Sequence, residues 1–211
     1  MKIIKQLSNN TVIFAGEELT LTELGAAGNG WTAPMLTSAN AVLEPVTSFP
    51  DGYAGGEWTY LQGVWAALPE AQAGIAQRLA EKRAKTIAQK WEAIKAERDR
   101  RKFAGVKVGI DWFHCDIESR SQWERMVNRV NTLGQLDTAP YTIGGSPVPW
   151  KTMAGTFLPL TAGKIRAVVD AIELQEALIF TRAEQHRALM AASTDPSAYS
   201  VLTGWPETFG G

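Results

Sequence analysis

Between Pro69 and Lys102 the chain contains no proline and a single glycine, Gly74, and no other feature limits its fold as strongly. Pro69 suits the first turn of a helix, where its missing N–H would have no partner anyway. The residues that follow are rich in Ala, Gln, Glu, Lys and Arg, all strong helix formers. The stretch predicts one helix over 69–102. At 1.5 Å per residue it would be about 45–50 Å long. That exceeds the expected width of a small flanking domain, so one chain is not expected to bury the whole of it.

Ala73, Ala76, Ala80, Ala84, Ile87, Trp91 and Ile94 recur in steps of three and four. Such steps define a narrow apolar seam of coiled-coil type. The seam could meet a second copy, a partner helix or the C-terminal part of the same chain. Association is the favoured reading, which makes Ala80, Ala84, Ile87, Trp91 and Ile94 the expected interface.

Charge is distributed unevenly around this helix. Met1–Pro69 holds two Lys+Arg and six Asp+Glu, Glu70–Lys102 ten and five, and Phe103–Gly211 nine and eleven, giving −4, +5 and −2. A basic helix could neutralise phosphates. However, Glu81 with Lys85 and Glu97 with Arg101 fall at i,i+4 in the stabilising order, and the basic end suits the helix C-terminal dipole. A solvated helix face is therefore expected, and no nucleic-acid partner.

The flanks divide the remainder. Residues 1–68 carry short apolar runs punctuated by Gly and Pro, which predict a small β domain. In "GGEWTYLQGVW", Trp58, Tyr60 and Trp65 flank a two-residue turn at Gln62-Gly63, a hairpin signal whose aromatics fill a core. In residues 103–211, Val106 and Val108, Gly109-Ile110, then Trp112 and Phe113 predict a second hairpin. "SRSQWERMVNRVNTLG" predicts a helix that buries Trp123, Met126, Val127 and Val130, starts at Ser119 or Ser121, and stops at Gly134. A further hairpin turns at Ala154-Gly155. Thr161 then caps a helix to about Ser193, with Ile165, Val168, Val169, Ile172, Leu174, Ala177, Leu178, Phe180, Ala183 and Met190 as a broad stripe. Tyr199, Leu202 and Trp205 are expected to pin the end of the chain. The expected fold is α+β: a small β domain at 1–68, a connecting helix at 69–102, and two hairpins packed with two helices at 103–211.

Within 97–209, "RDRRKFAGVKVGIDWFHCDIESRSQ", "VPWKTMAGTFLPLT", "QEALIFTRAEQHRALMAAS" and "GWP" together resemble a domain of unknown function common at the C-termini of proteins from the tail-fibre region of tailed bacteriophages and prophages. The resemblance implies a phage protein associated with tail, baseplate or fibres, and it carries over no catalytic residues. This chain departs from the pattern by inserting "NTLGQLDTAPYTIGGS", expected as an exposed loop.

Signals for chemistry are sparse. His114-Cys115 would be an activated thiol only if the two met, and adjacent strand residues point to opposite faces. Glu184 and His186 diverge by about 200° around a helix. His186 and Met190 share a face, which a packed helix explains. Asp111, Asp116 and Glu118 lack the glycine and bidentate glutamate of a calcium loop. No phosphate loop, His-Glu-x-x-His or nucleophile-elbow motif occurs. One cysteine and two histidines make a zinc site improbable.

The expected protein is therefore not an enzyme and takes no cofactor or metal. It is a structural component of a phage tail, at the tail tip, baseplate or fibre attachment. Its expected partners are other tail, baseplate or fibre proteins and further copies of itself. The alternative is a tail-fibre assembly chaperone absent from the mature virion. No apolar run reaches the ~20 residues a membrane span needs, and "MKIIKQLSNN" turns polar before a signal core could form. Synthesis in the host cytoplasm and residence in the virion tail are expected.

Overall fold

A computed structural model describes residues 1–210. The short strands of the expected β region resolve into β1 (Lys2–Gln6), β2 (Val12–Gly16), β3 (Thr20–Thr22), β4 (Gly25–Gly28), β5 (Trp31–Ala33), β6 (Ala41–Pro45), β7 (Trp58–Leu61) and β8 (Val64–Ala67). A 3-10 turn at Pro69–Ala71 leads into α1 (Gln72–Lys102). Next come β9 (Val106–Val108), β10 (Asp111–Phe113), α2 (Ile117–Thr132), β11 (Thr142–Ile143), β12 (Ser146–Pro147), β13 (Pro149–Lys151), β14 (Phe157–Pro159) and α3 (Ala162–Ala192). The architecture is α+β, as the sequence leads one to expect. No helix among the described residues is long and apolar enough to cross a membrane. The chain divides into two compact units, Met1–Lys85 and Thr86–Gly211, and the dividing line falls inside α1.

In the first unit β1 is the central strand of an antiparallel sheet ordered β2-β1-β6. Side chains alternate across a strand, so Ile3 and Ile4, both fully buried, serve opposite faces. Ile3 joins Val12 and Val46, with Phe49, Tyr53, Tyr60 and Trp65 packed around them. Ile4 joins Leu19, Ala26 and Ala41 beside Phe14 and Trp31. Lys5 shares the face of Ile3 and is buried too, with its ammonium donating to the Tyr60 carbonyl at 2.9 Å and lying 2.6 Å from Glu44 Oε2. The β3-β4-β5 meander covers this sheet's second core; β3 lies in the run "LTLTEL", which reads as a strand, whereas β4 and β5 come from the stretch after it, which reads as irregular. The expected hairpin is β7-β8: Gln62 at φ 52° and Gly63 at φ 85° give the two left-handed positions that its two-residue turn requires.

In the second unit, Trp123, Met126 and Val130 of α2 and Ile165, Val168 and Ile172 of α3 enclose a core with Val106 and Phe113 of the β9-β10 hairpin. Trp123 lies against Trp150 at a centroid distance of 4.1 Å and donates its indole N–H to the His114 carbonyl. Three expectations need correction. The N-cap of α2 is Asp116, neither Ser119 nor Ser121: its carboxylate accepts from Ser119 N at 2.9 Å, and the helix has already begun at Ile117. The stripe of α3 is narrower than expected, because Leu174, Leu178 and Phe180 are exposed. The inserted segment is only partly an exposed loop: Tyr141 is buried in the core, and Arg166 ties the segment down through Asn131, Gln135 and Asp137. Thr161 caps α3 and Gly134, at φ 60°, follows α2, as expected.

Candidate interaction surface

Two tracks run along the first half of α1. Ile75 is buried and Leu79 half-buried, whereas Ala73, Ala76, Ala80 and Ala84 are exposed. A methyl group buries far less apolar area than a branched four-carbon side chain, so the chain turns the larger residues inward. Gly52, at φ 74°, lets its loop approach: a β-carbon there would stand 3.2 Å from Ile75 and 3.3 Å from Leu79. Polar contacts continue the same inward track. Arg78 pairs with Glu57 and donates to the Gly52 carbonyl at 2.9 Å, and Lys82 stands 3.2 Å from Asp51. Ile75 and Leu79 were not among the expected seam residues. Their bulk was the signal that could have found them.

The second half of α1 behaves differently. Ile94 is fully buried and forms a cluster with Ala183 and Met190 of α3. Ile87 and Trp91 are half-buried against that cluster, with Tyr199, Val201 and Trp205 from the C-terminal segment. Ile94 is therefore core rather than an interface residue, and Ile87 and Trp91 are largely taken up by their own chain. Leu202, expected to help pin the end, is exposed, and Val201 takes that place. Lys90 donates to the Tyr199 carbonyl at 2.9 Å, and the Arg187 guanidinium lies 5.1 Å from the Trp91 ring centroid. Of the five expected interface residues, Ala80 and Ala84 remain exposed.

Much of the basic charge at the end of α1 is also engaged. Hydrogen bonds from Arg100 hold the Glu97 carboxyl well below the usual range, at about 2, with Arg101 adding to them and burial opposing. Burial raises the pKa of Glu176, but Lys102 and Arg120 outweigh it and hold the group below its ordinary value. Arg120 also donates to the Cys115 carbonyl at 2.7 Å and to the Lys102 carbonyl at 2.7 Å, which ties the start of α2 to the end of α1.

The remaining residues singled out for chemistry do not converge. Cys115 is fully buried, its sulfur accepts from Gly105 N at 3.1 Å, and burial pushes its thiol pKa up, away from thiolate character. Asp111 faces Lys164 at 3.6 Å, Asp116 caps α2, and Glu118 is exposed in that helix's first turn. Among the described residues, no three His, Cys, Asp or Glu side chains gather as metal ligands would. His186 is buried beside Met190, on the face the two share.

Shallow grooves stay open on the second unit. A groove of about 210 Å³ runs between α3 and the C-terminal segment, with Trp112, Ala171, Leu174, Leu178 and Pro206 along it and Lys107 and Glu207 at its rim. A second, of about 360 Å³, lies between α2 and α3 over Val127, Val169 and Ile172, with Glu124, Glu173 and Glu176 beside them.

A family model described as a domain of unknown function, DUF4376, matches residues 81–202. No curated protein and no solved structure matches the chain.

Proposed function

Because the chain belongs to the DUF4376 family, whose function is unknown, we propose its role from its own surfaces and from the tail-fibre resemblance of its C-terminal half: it is a structural component of a bacteriophage tail that acts through protein–protein contacts. The observation that carries this reading is the apolar surface left exposed on each unit after its core has closed. On the first unit that surface is Ala73, Ala76, Ala80 and Ala84 along one helix face. On the second it is Leu174 and Leu178 beside Trp112. Exposed apolar residues aligned on one face offer a surface that a partner can cover. The partners are other tail, baseplate or fibre proteins, or further copies of this chain, and the protein resides in the virion tail. It performs no reaction.

Mass spectrometry of purified virions tests the proposal. The polypeptide is expected in the particle, in step with known tail proteins. Its absence from particles, with the protein present in infected cells, would overturn the virion role and favour an assembly factor.

A further inference from the structure

The C-terminal segment that covers the bulky half of the α1 seam is held around one histidine. His186 is fully buried on α3, and its Nδ1 lies 2.8 Å from the Tyr199 hydroxyl. Its ring lies 5.0 Å from that of Trp205 at 33°, while the Tyr199 ring meets it edge-on at 5.8 Å. Nε2 is buried and makes no well-formed hydrogen bond. Trp205 is itself fixed by donating to the Val201 carbonyl at 2.8 Å.

The charged groups around this cluster are mostly cationic. From α1, Lys90 donates to the Tyr199 carbonyl, and Arg101 donates to the Pro206 carbonyl at 3.0 Å with its guanidinium 5.8 Å from the Trp205 ring. From α3, Arg182 donates to the Thr203 carbonyl at 2.9 Å. The carboxylates on the same elements are turned to other partners: Glu97 to Arg100 and Arg101, Glu184 to Arg187, Asp195 to Ser197, and Glu207 to Lys107. Among the described residues no carboxylate hydrogen-bonds the imidazole. A proton added to His186 would therefore bring a positive charge into a desolvated site among cations, with no anion to balance it.

We propose that residues 199–206 form an acid-sensitive strap: protonation of His186 releases Tyr199 and Trp205 from α3 and uncovers Ile87, Trp91 and Ile94. Burial first, then Arg182, lowers the His186 pKa from the ordinary 6.5, and the Thr203 backbone opposes them. The neutral ring is thus the form the closed strap favours. The contribution of His186 to closure is complete above the ordinary histidine pKa and is lost as the pH falls below it towards the lower value of the closed state. The strap follows from the packing around His186 and holds whatever partner the seam meets.

Amide hydrogen exchange of the full chain, read by mass spectrometry and corrected for intrinsic rates, tests this. Between about pH 7.5 and about pH 5, which spans the ordinary histidine pKa, protection in 199–206 should fall progressively. Protection in α2 and in the first half of α3 should hold. His186→Gln should give the same strap protection at both pH values. Should that variant fail to fold, an NMR titration of the wild-type ring takes its place, with His186 expected to titrate below the ordinary histidine range. Unchanged strap protection in the wild type, the same acid loss in His186→Gln, parallel loss in the helices, or an ordinary His186 titration would each overturn the proposal.

Discussion

The two halves of α1 continue one helix but have different roles. Gln72–Lys85 is anchored to the first unit along Ile75, Arg78 and Leu79 and leaves its alanine track in solvent. Thr86–Lys102 gives its bulky residues to its own chain, with Ile94 in a core between α3 and the C-terminal segment. A step of three and four therefore identifies a helix face without identifying what covers it. Where the face carries Ile and Trp, the chain covers it. Where it carries Ala, little is gained by covering it, and the surface stays open to others.

Ile94→Ala should break that contrast most severely, lowering stability by about 2–5 kcal/mol as a fully buried aliphatic side chain is replaced by a cavity. Urea titration followed by circular dichroism reads the loss. Gly52→Ala probes the anchor of the other half. Its positive φ and the nearby Ile75 predict a loss of roughly 1 kcal/mol or more, measured in the same titration.

Glu97→Gln sharpens the electrostatic side of the comparison. Because the folded pKa of Glu97 is depressed to about 2, its contribution is present above the unfolded carboxylate value of 4.5 and is lost as the pH falls through about 2. The variant should therefore be less stable than the wild type at neutral pH and should lose less on acidification across that window. Thermal melts at a series of pH values measure this. Smallest of all should be Ala80→Ser and Ala84→Ser, which change stability by no more than about 0.5 kcal/mol, as exposed positions do. Under the proposed function, Ala80→Glu with Ala84→Glu would leave folding intact while weakening incorporation into virions, scored by the protein's abundance in purified particles.

The elements that could be read from sequence were those with local chemical signals. The long helix follows from the absence of Pro between Pro69 and Lys102, β7-β8 from Gln62-Gly63, and α3 from the Thr161 cap. Strands β4 and β5 were hidden because segments of three or four residues, β4 being made wholly of Gly and Ala, show too little alternation to count. The start of α2 was misplaced because Asp116 and Ser119 are both good caps three residues apart, and the hydrogen bond between them decides which one leads. At the candidate surface, the seam's spacing was readable along α1. Its division was not, because the cover of Ile94 comes from Ala183, Met190 and Trp205, about a hundred residues away along the chain.

Side-chain footprinting of the native full chain with a photoactivated carbene, mapped by mass spectrometry, tests the divided seam most directly. Strong labelling is expected at Ala73, Ala76, Ala80 and Ala84, and labelling of Ile94 only after denaturation. Equal labelling of Ile94 and the alanines in the folded protein would contradict it.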